Sequence, residues 1–213
     1  FSSRRRHTRF RNVTGVQTCA LPILPALRAA VLVVIAALVT ITPSARAEVR
    51  DLTRKVAGTT VHYKVVLPTG YDASRGYPAI LVFGGGPQTM NSVDSTLTRN
   101  FREQAEKRGY IVIGVAAPDG ELFFEGGERI IPDFLKMMLA DYKIQDGKFH
   151  IAGPSNGGIA SMHVAAAYPQ YFLSITAFPG YMWQPTTAKL QTISKMCVFL
   201  YVGELDEYMW RSE

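Results

Sequence analysis

Residues 149–160 read Phe149-His150-Ile151-Ala152-Gly153-Pro154-Ser155-Asn156-Gly157-Gly158-Ile159-Ala160, and their order decides the fold. A short apolar run of strand character breaks at Gly153-Pro154, and a small-residue helical pattern follows at once. A G-x-S-x-G is thereby placed between a strand and a helix. A serine hydroxyl is a poor nucleophile until geometry and a base activate it. A sharp strand-to-helix turn pushes Ser155 into an exposed, strained position, and the flanking glycines leave room for the turn and for a substrate carbonyl. The helix N-terminus aims backbone N–H groups at the charge that develops on that carbonyl oxygen. A turn that merely needs glycine is the competing reading, because the pattern also arises by chance.

Outward from this turn, continuous apolar runs at Ala79–Phe83, Ile111–Ala116, Phe149–Ala152, Ser174–Phe178 and Val198–Val202 predict strands buried on both faces. Val61–Leu67 alternates like an antiparallel strand, and Pro68-Thr69-Gly70 turns it. Helices are predicted over Ser95–Arg108, Glu128–Tyr142 and Gly157–Ala167 from their apolar spacing, with Pro132 in the first turn of the second. Strands alternating with helices give an α/β class with a mostly parallel sheet and helices on both faces. Ligands of such sheets bind beyond the carboxyl ends of the strands, where Ser155 lies. No internal repeat interrupts residues 48–213, which read as one domain.

A serine nucleophile needs donors for the oxyanion, a base, and a group that orients the base. Phe83-Gly84-Gly85-Gly86 follows a predicted strand and can present backbone N–H groups. With this loop ahead of the serine turn, the chain resembles the α/β-hydrolase superfamily, whose glycine loop pairs with the N–H that follows the nucleophile. The resemblance implies an oxyanion hole from Asn156 and Gly84 or Gly85. Phe83 stands where that loop carries a histidine, so whatever order the histidine gives must come from elsewhere. Over residues 55–213 the chain is most similar to the single-domain esterase group that includes polyhydroxybutyrate-depolymerase-like and feruloyl-esterase-like members.

The superfamily order is Ser, then Asp or Glu, then His. Val202-Gly203-Glu204-Leu205-Asp206 ends the last predicted strand, and Asp206 is the candidate acid, with Glu204 and Glu207 as alternatives. Asp119 also ends a strand but precedes the serine. The histidines beyond the leader are His62, His150 and His163. The first two lie within strands, and His163 sits about two helical turns, ~12 Å, past Ser155. None is expected to serve as base. The expectation is a domain incomplete at its C-terminus, with the base beyond Glu213 and little turnover by the chain as given. Phe123, Phe124, Tyr181 and Trp183 follow strand ends and are candidate pocket residues for a small or polymeric ester substrate. No cofactor or metal spacing occurs. A serine peptidase of the same fold and a binding protein that kept the turn are the competing functions.

The leader distorts the composition. Residues 1–47 hold seven of the 23 basic residues and none of the 17 acidic ones, so residues 48–213 carry 16 basic groups against 17 acidic. The net +6 of the whole chain is therefore no argument for a nucleic-acid surface. Residues 24–47 read as a secretory signal peptide: Arg28, an apolar run from Ala29 to Ile41, and Ala45-Arg46-Ala47 before Glu48. That run rises about 20 Å as a helix, short of the roughly 30 Å hydrocarbon core, so a secreted or periplasmic protein without a stable anchor is expected. Residues 1–23 resemble translated sequencing-adapter read-through, and the first methionine is Met90. Cys19 lies in that stretch, which leaves Cys197 as a lone thiol, expected to be buried in its apolar run.

Overall fold

The computed structural model describes residues 48–204 and 206. The adapter-like and signal-peptide segments, and Glu207, lie outside the described residues. Strand β1 (Val49–Val56) turns through Ala57 and Gly58, at φ 49° and 88°, into antiparallel β2 (Thr59–Val66). Two central residues at positive φ match the twist of a two-residue hairpin. Then follow β3 (Tyr77–Phe83), α1 (Met90–Thr96), α2 (Arg102–Arg108), β4 (Ile111–Val115) and α3 (Ile131–Asp141). The described chain closes with β5 (Ile144–Gly153), α4 (Asn156–Ala167), β6 (Phe172–Ala177), α5 (Thr187–Ile193) and β7 (Cys197–Leu200).

The seven strands form one sheet in the order β1-β2-β4-β3-β5-β6-β7. Pairings from β4 through β3, β5 and β6 to β7 are parallel, while β2 pairs antiparallel with both neighbours. Period-2 alternation sorts the side chains between two cores. Ala79, Leu81 and Phe83 of β3, Ile111 and Ile113 of β4, and Phe149 and Ile151 of β5 join α3 and α4 in the larger one. Val82 and Val112 face the other way, with Val93, Leu97 and Ala105 of the α1–α2 segment. Helices thus cover both faces of a mostly parallel sheet, as expected.

Three local expectations change. The predicted 95–108 helix starts at Met90, because the Thr89 hydroxyl accepts from Ser92 N–H at 3.4 Å and caps it. It also passes through a π-helical turn at Leu97–Phe101 before α2, which ends at Gly109 (φ 74°). The Glu128–Tyr142 segment opens as a 3₁₀ turn at Gly127–Ile130 and becomes α-helical at Ile131. Cys197 is exposed rather than buried. It lies on β7, which pairs only with β6 among the described strands, so neither its face nor its outer edge is covered by them.

Candidate active site

Strand β5 ends at Gly153 and α4 begins at Asn156, leaving a two-residue elbow. Ser155 takes φ 54° and ψ −122°, a region that costs a non-glycine residue about 1–3 kcal/mol. Three short bonds hold it there: Gly157 N–H to Pro154 O at 2.8 Å, and Gly158 and Ile159 N–H to Ser155 O at 2.8 and 3.0 Å. The glycines answer to backbone proximity. A Cβ on Gly153 would lie 2.5 Å from the Gly157 carbonyl carbon. One on Gly157 would collide with the Phe83 carbonyl oxygen, and one on Gly158 with that of Pro179. Strand, elbow and helix therefore meet with no room for a side chain between them.

The glycine loop lies against this elbow. A Cβ built on Gly85 would sit 3.3 Å from Pro154 O and 3.8 Å from the Ser155 Cβ. Gly84 has a different role: its Cβ would fall 2.9 Å from the Ser92 carbonyl carbon and the Val93 nitrogen, so it lets α1 approach β3. Of the two expected glycine donors, Gly85 is the one packed beside the serine. Among the described residues, neither the Gly85 nor the Asn156 backbone N–H finds an acceptor, which leaves both for an incoming oxygen.

Side chains join the two segments. The Asn156 amide Nδ2 donates to Gly86 O at 2.9 Å. Gln88, fully buried, donates through Nε2 to Asn156 O at 3.2 Å and accepts at Oε1 from Phe123 N–H at 2.9 Å. Sequence reasoning missed Gln88. Its partners lie far along the chain, and no local pattern marks them.

Asp206 follows β7 beyond the carboxyl edge of the sheet, half-buried, with its N–H donating to Gly203 O at 3.2 Å. Glu204 in the same turn is exposed. The three described histidines are engaged elsewhere. His62 Nδ1 lies 2.9 Å from Thr53 Oγ1 across the β1–β2 hairpin. His150 Nδ1 lies 2.7 Å from Ser174 Oγ between β5 and β6, and burial pushes its pKa down. His163 sits 3.9 Å from Glu128; burial lowers its pKa most, Glu128 partly restores it, and Lys189 lowers it again. Among the described residues no imidazole reaches Ser155.

The four candidate pocket aromatics separate. Phe123 is completely buried with its ring 4.4 Å from that of Phe83, so it belongs to the core and not to a pocket wall. Its backbone tie to Gln88 fixes it there. Phe124 is nearly buried against Trp183 at 5.2 Å, and Tyr181 lies 6.5 Å from the same indole. The loop that carries Tyr181 and Trp183 touches the first turn of α4 through Pro179, Gly180 and Gly158. Among the described residues no three or more His, Cys, Asp or Glu gather into a metal-holding group, and no helix is long and apolar enough to cross a membrane.

No family model matches the sequence. The fold resembles a thermostable esterase with a TM-score of 0.60 at 15% identity, covering 75% of this chain and 47% of that one. A CIB-like hydrolase from Thermoplasma acidophilum gives 0.56 at 20% identity, with 76% and 77% covered. A feruloyl esterase module from Clostridium thermocellum complexed with sinapinate gives 0.55 at 18%, with 72% and 61% covered. The chain thus spans about half the length of the esterase and under two thirds of the module. With the strand order above, these similarities show that the chain has the α/β-hydrolase fold.

Proposed function

We propose that the chain is a serine hydrolase that cleaves carboxylic esters through an acyl-serine intermediate. The observation that carries this is Ser155, held at φ 54° at the head of α4 beside two backbone donors that have no acceptor among the described residues. In the reaction, Ser155 Oγ bonds to the ester carbonyl carbon while a base removes its proton. The carbonyl oxygen becomes an anion between the Gly85 and Asn156 N–H groups. Collapse expels the alcohol, which takes the proton from the base, and water repeats the sequence to release the acid. Asp206 orients the base, an imidazole from outside the described residues.

The ester is a small molecule or a polymer met after export through residues 24–47. The N-terminus of the exported protein then starts at Glu48, which N-terminal sequencing checks. Because a positioned base contributes about 10²–10⁴-fold and the described histidines are engaged away from Ser155, hydrolysis by this chain is expected to be slow. Free imidazole supplies a substitute. Para-nitrophenyl acetate hydrolysis by the chain in imidazole buffer should exceed that of Ser155→Ala under the same conditions. Equal rates for the two proteins would refute the nucleophile assignment.

A further inference from the structure

We infer that Gln88 is the positioning residue of this site, the group that sets the Gly85 N–H against the Asn156 N–H so that one oxygen can accept from both. The inference rests on the serine-hydrolase reading and deepens it. An oxyanion hole works only if its donors are in place before charge develops. The Gly84-Gly85-Gly86 run has little stiffness of its own, and Gly86 stands at φ 58°. Phe83 ahead of it is an apolar core residue and offers the loop no hydrogen bond from its side chain.

Two bonds in opposite directions supply the missing order. Asn156 Nδ2 reaches to Gly86 O at 2.9 Å, and Gln88 Nε2 reaches back to Asn156 O at 3.2 Å. Gln88 is itself held from a third side, because Ala117 N–H donates to its backbone oxygen at 2.8 Å and Phe123 N–H to its Oε1 at 2.9 Å. Its partners leave one orientation of the amide: the Phe123 N–H can only donate, and the Asn156 carbonyl can only accept. A buried amide satisfied at both ends, on a backbone at φ 53°, ties the loop after β4 through the glycine loop to the elbow. Neither a carboxylate nor a thioether can make both bonds.

The test uses the full 213-residue chain and phenylboronic acid, with ¹⁵N–¹H spectra as readout. Ser155 Oγ donates a lone pair to boron, its proton passes to solvent, and the tetrahedral boronate carries its negative charge into the oxyanion site. In the parent chain the Gly85 and Asn156 amide protons should move downfield together. Gln88→Met and Gln88→Glu should keep the folded spectrum elsewhere, bind the probe about 10- to 100-fold more weakly, and lose the Gly85 shift while keeping the Asn156 shift. Acidification should restore the Gly85 shift in Gln88→Glu alone, because the protonated carboxyl regains a donor.

Parent-like affinity and shifts in both variants would overturn the inference. So would equal fading of the two amide shifts, which is what mere loss of folded protein gives. If Gln88→Met does not fold, Asn156→Ala decides, since it cuts the exposed half of the same latch; an unchanged Gly85 shift there overturns the inference. Binding undiminished in Ser155→Ala would instead refute the nucleophile assignment itself.

Discussion

Gly157→Ala tests whether the elbow is as tightly enclosed as its geometry indicates. The added methyl would collide with the Phe83 carbonyl oxygen, and would lie 2.9 Å from Gly84 O and 3.0 Å from the Phe83 carbonyl carbon, where ordinary contact begins at 3.4 Å. All three neighbours are backbone, so no rotamer change relieves the clash. Either α4 or the end of β3 must shift by a large fraction of an ångström. Overpacking of this kind costs typically 1–3 kcal/mol, while alanine returns up to about 1 kcal/mol of helix propensity. With several backbone atoms involved, the net loss should be about 2 kcal/mol. For a chain of this size that lowers Tm by roughly 4–8 °C.

Gly76→Ala is the control, because its nearest neighbour would be Lys143 O at 3.9 Å; its Tm should move by less than about 2 °C. Circular-dichroism melts at one pH and one protein concentration read both variants. A Gly157→Ala protein that melts with the parent would refute the enclosed elbow, and with it the close approach of the glycine loop to Ser155.

Burial holds His150 and His163 below the usual imidazole pKa of 6.5. The unfolded chain therefore binds more protons than the folded one just below that value, and stability, full above it, falls as pH drops towards the folded values. Tm should decline between about pH 7 and pH 5, and more gently in a His150→Gln/His163→Gln double variant; parallel profiles would contradict this. Among the described residues the buried Tyr63 hydroxyl has no hydrogen-bond partner, while its ring packs edge-on to Phe134, at 5.2 Å between centroids. Tyr63→Phe should therefore match or exceed the parent in denaturant stability, by up to about 1 kcal/mol, and a clear loss would show that the hydroxyl is satisfied. Val198, Phe199 and Leu200 of β7, and Tyr201 just after it, are 40, 48, 49 and 60% exposed, and β7 is the outermost of the described strands. Light scattering should show self-association that Phe199→Lys reduces, and parent protein that stays monodisperse with concentration would oppose this reading.

The parts of the fold legible in the sequence were those whose signal is local. Ala79–Phe83 and Ile111–Ala116 read as strands because both faces are buried, which gives continuous apolar runs. The elbow was legible because Gly153, Ser155 and Gly157 stand at alternate positions between an apolar strand run and a helical pattern. Strand β1 was not, since Arg50, Asp51, Thr53, Arg54 and Lys55 give this outermost described strand no apolar rhythm. Helix α5 is seven residues with only Ile193 buried, too short for a period to show. Phe123 looked like a pocket residue because it follows a strand end, but its place is set by Phe83 and Gln88, which lie far off in sequence. Cys197 shows the same limit: an apolar run reports what a strand can bury, and packing decides whether it is buried.

The most direct measurement is the site of fluorophosphonate attachment to the folded 213-residue chain, read by peptide mass spectrometry with and without imidazole. In that reaction Ser155 Oγ bonds to phosphorus, fluoride leaves, and the base takes the hydroxyl proton. One modified residue is expected, Ser155, on the peptide that joins β5 to α4, modified faster as imidazole is added and unmodified in denatured protein. Label on another residue, or none on folded protein at any imidazole concentration, would contradict it.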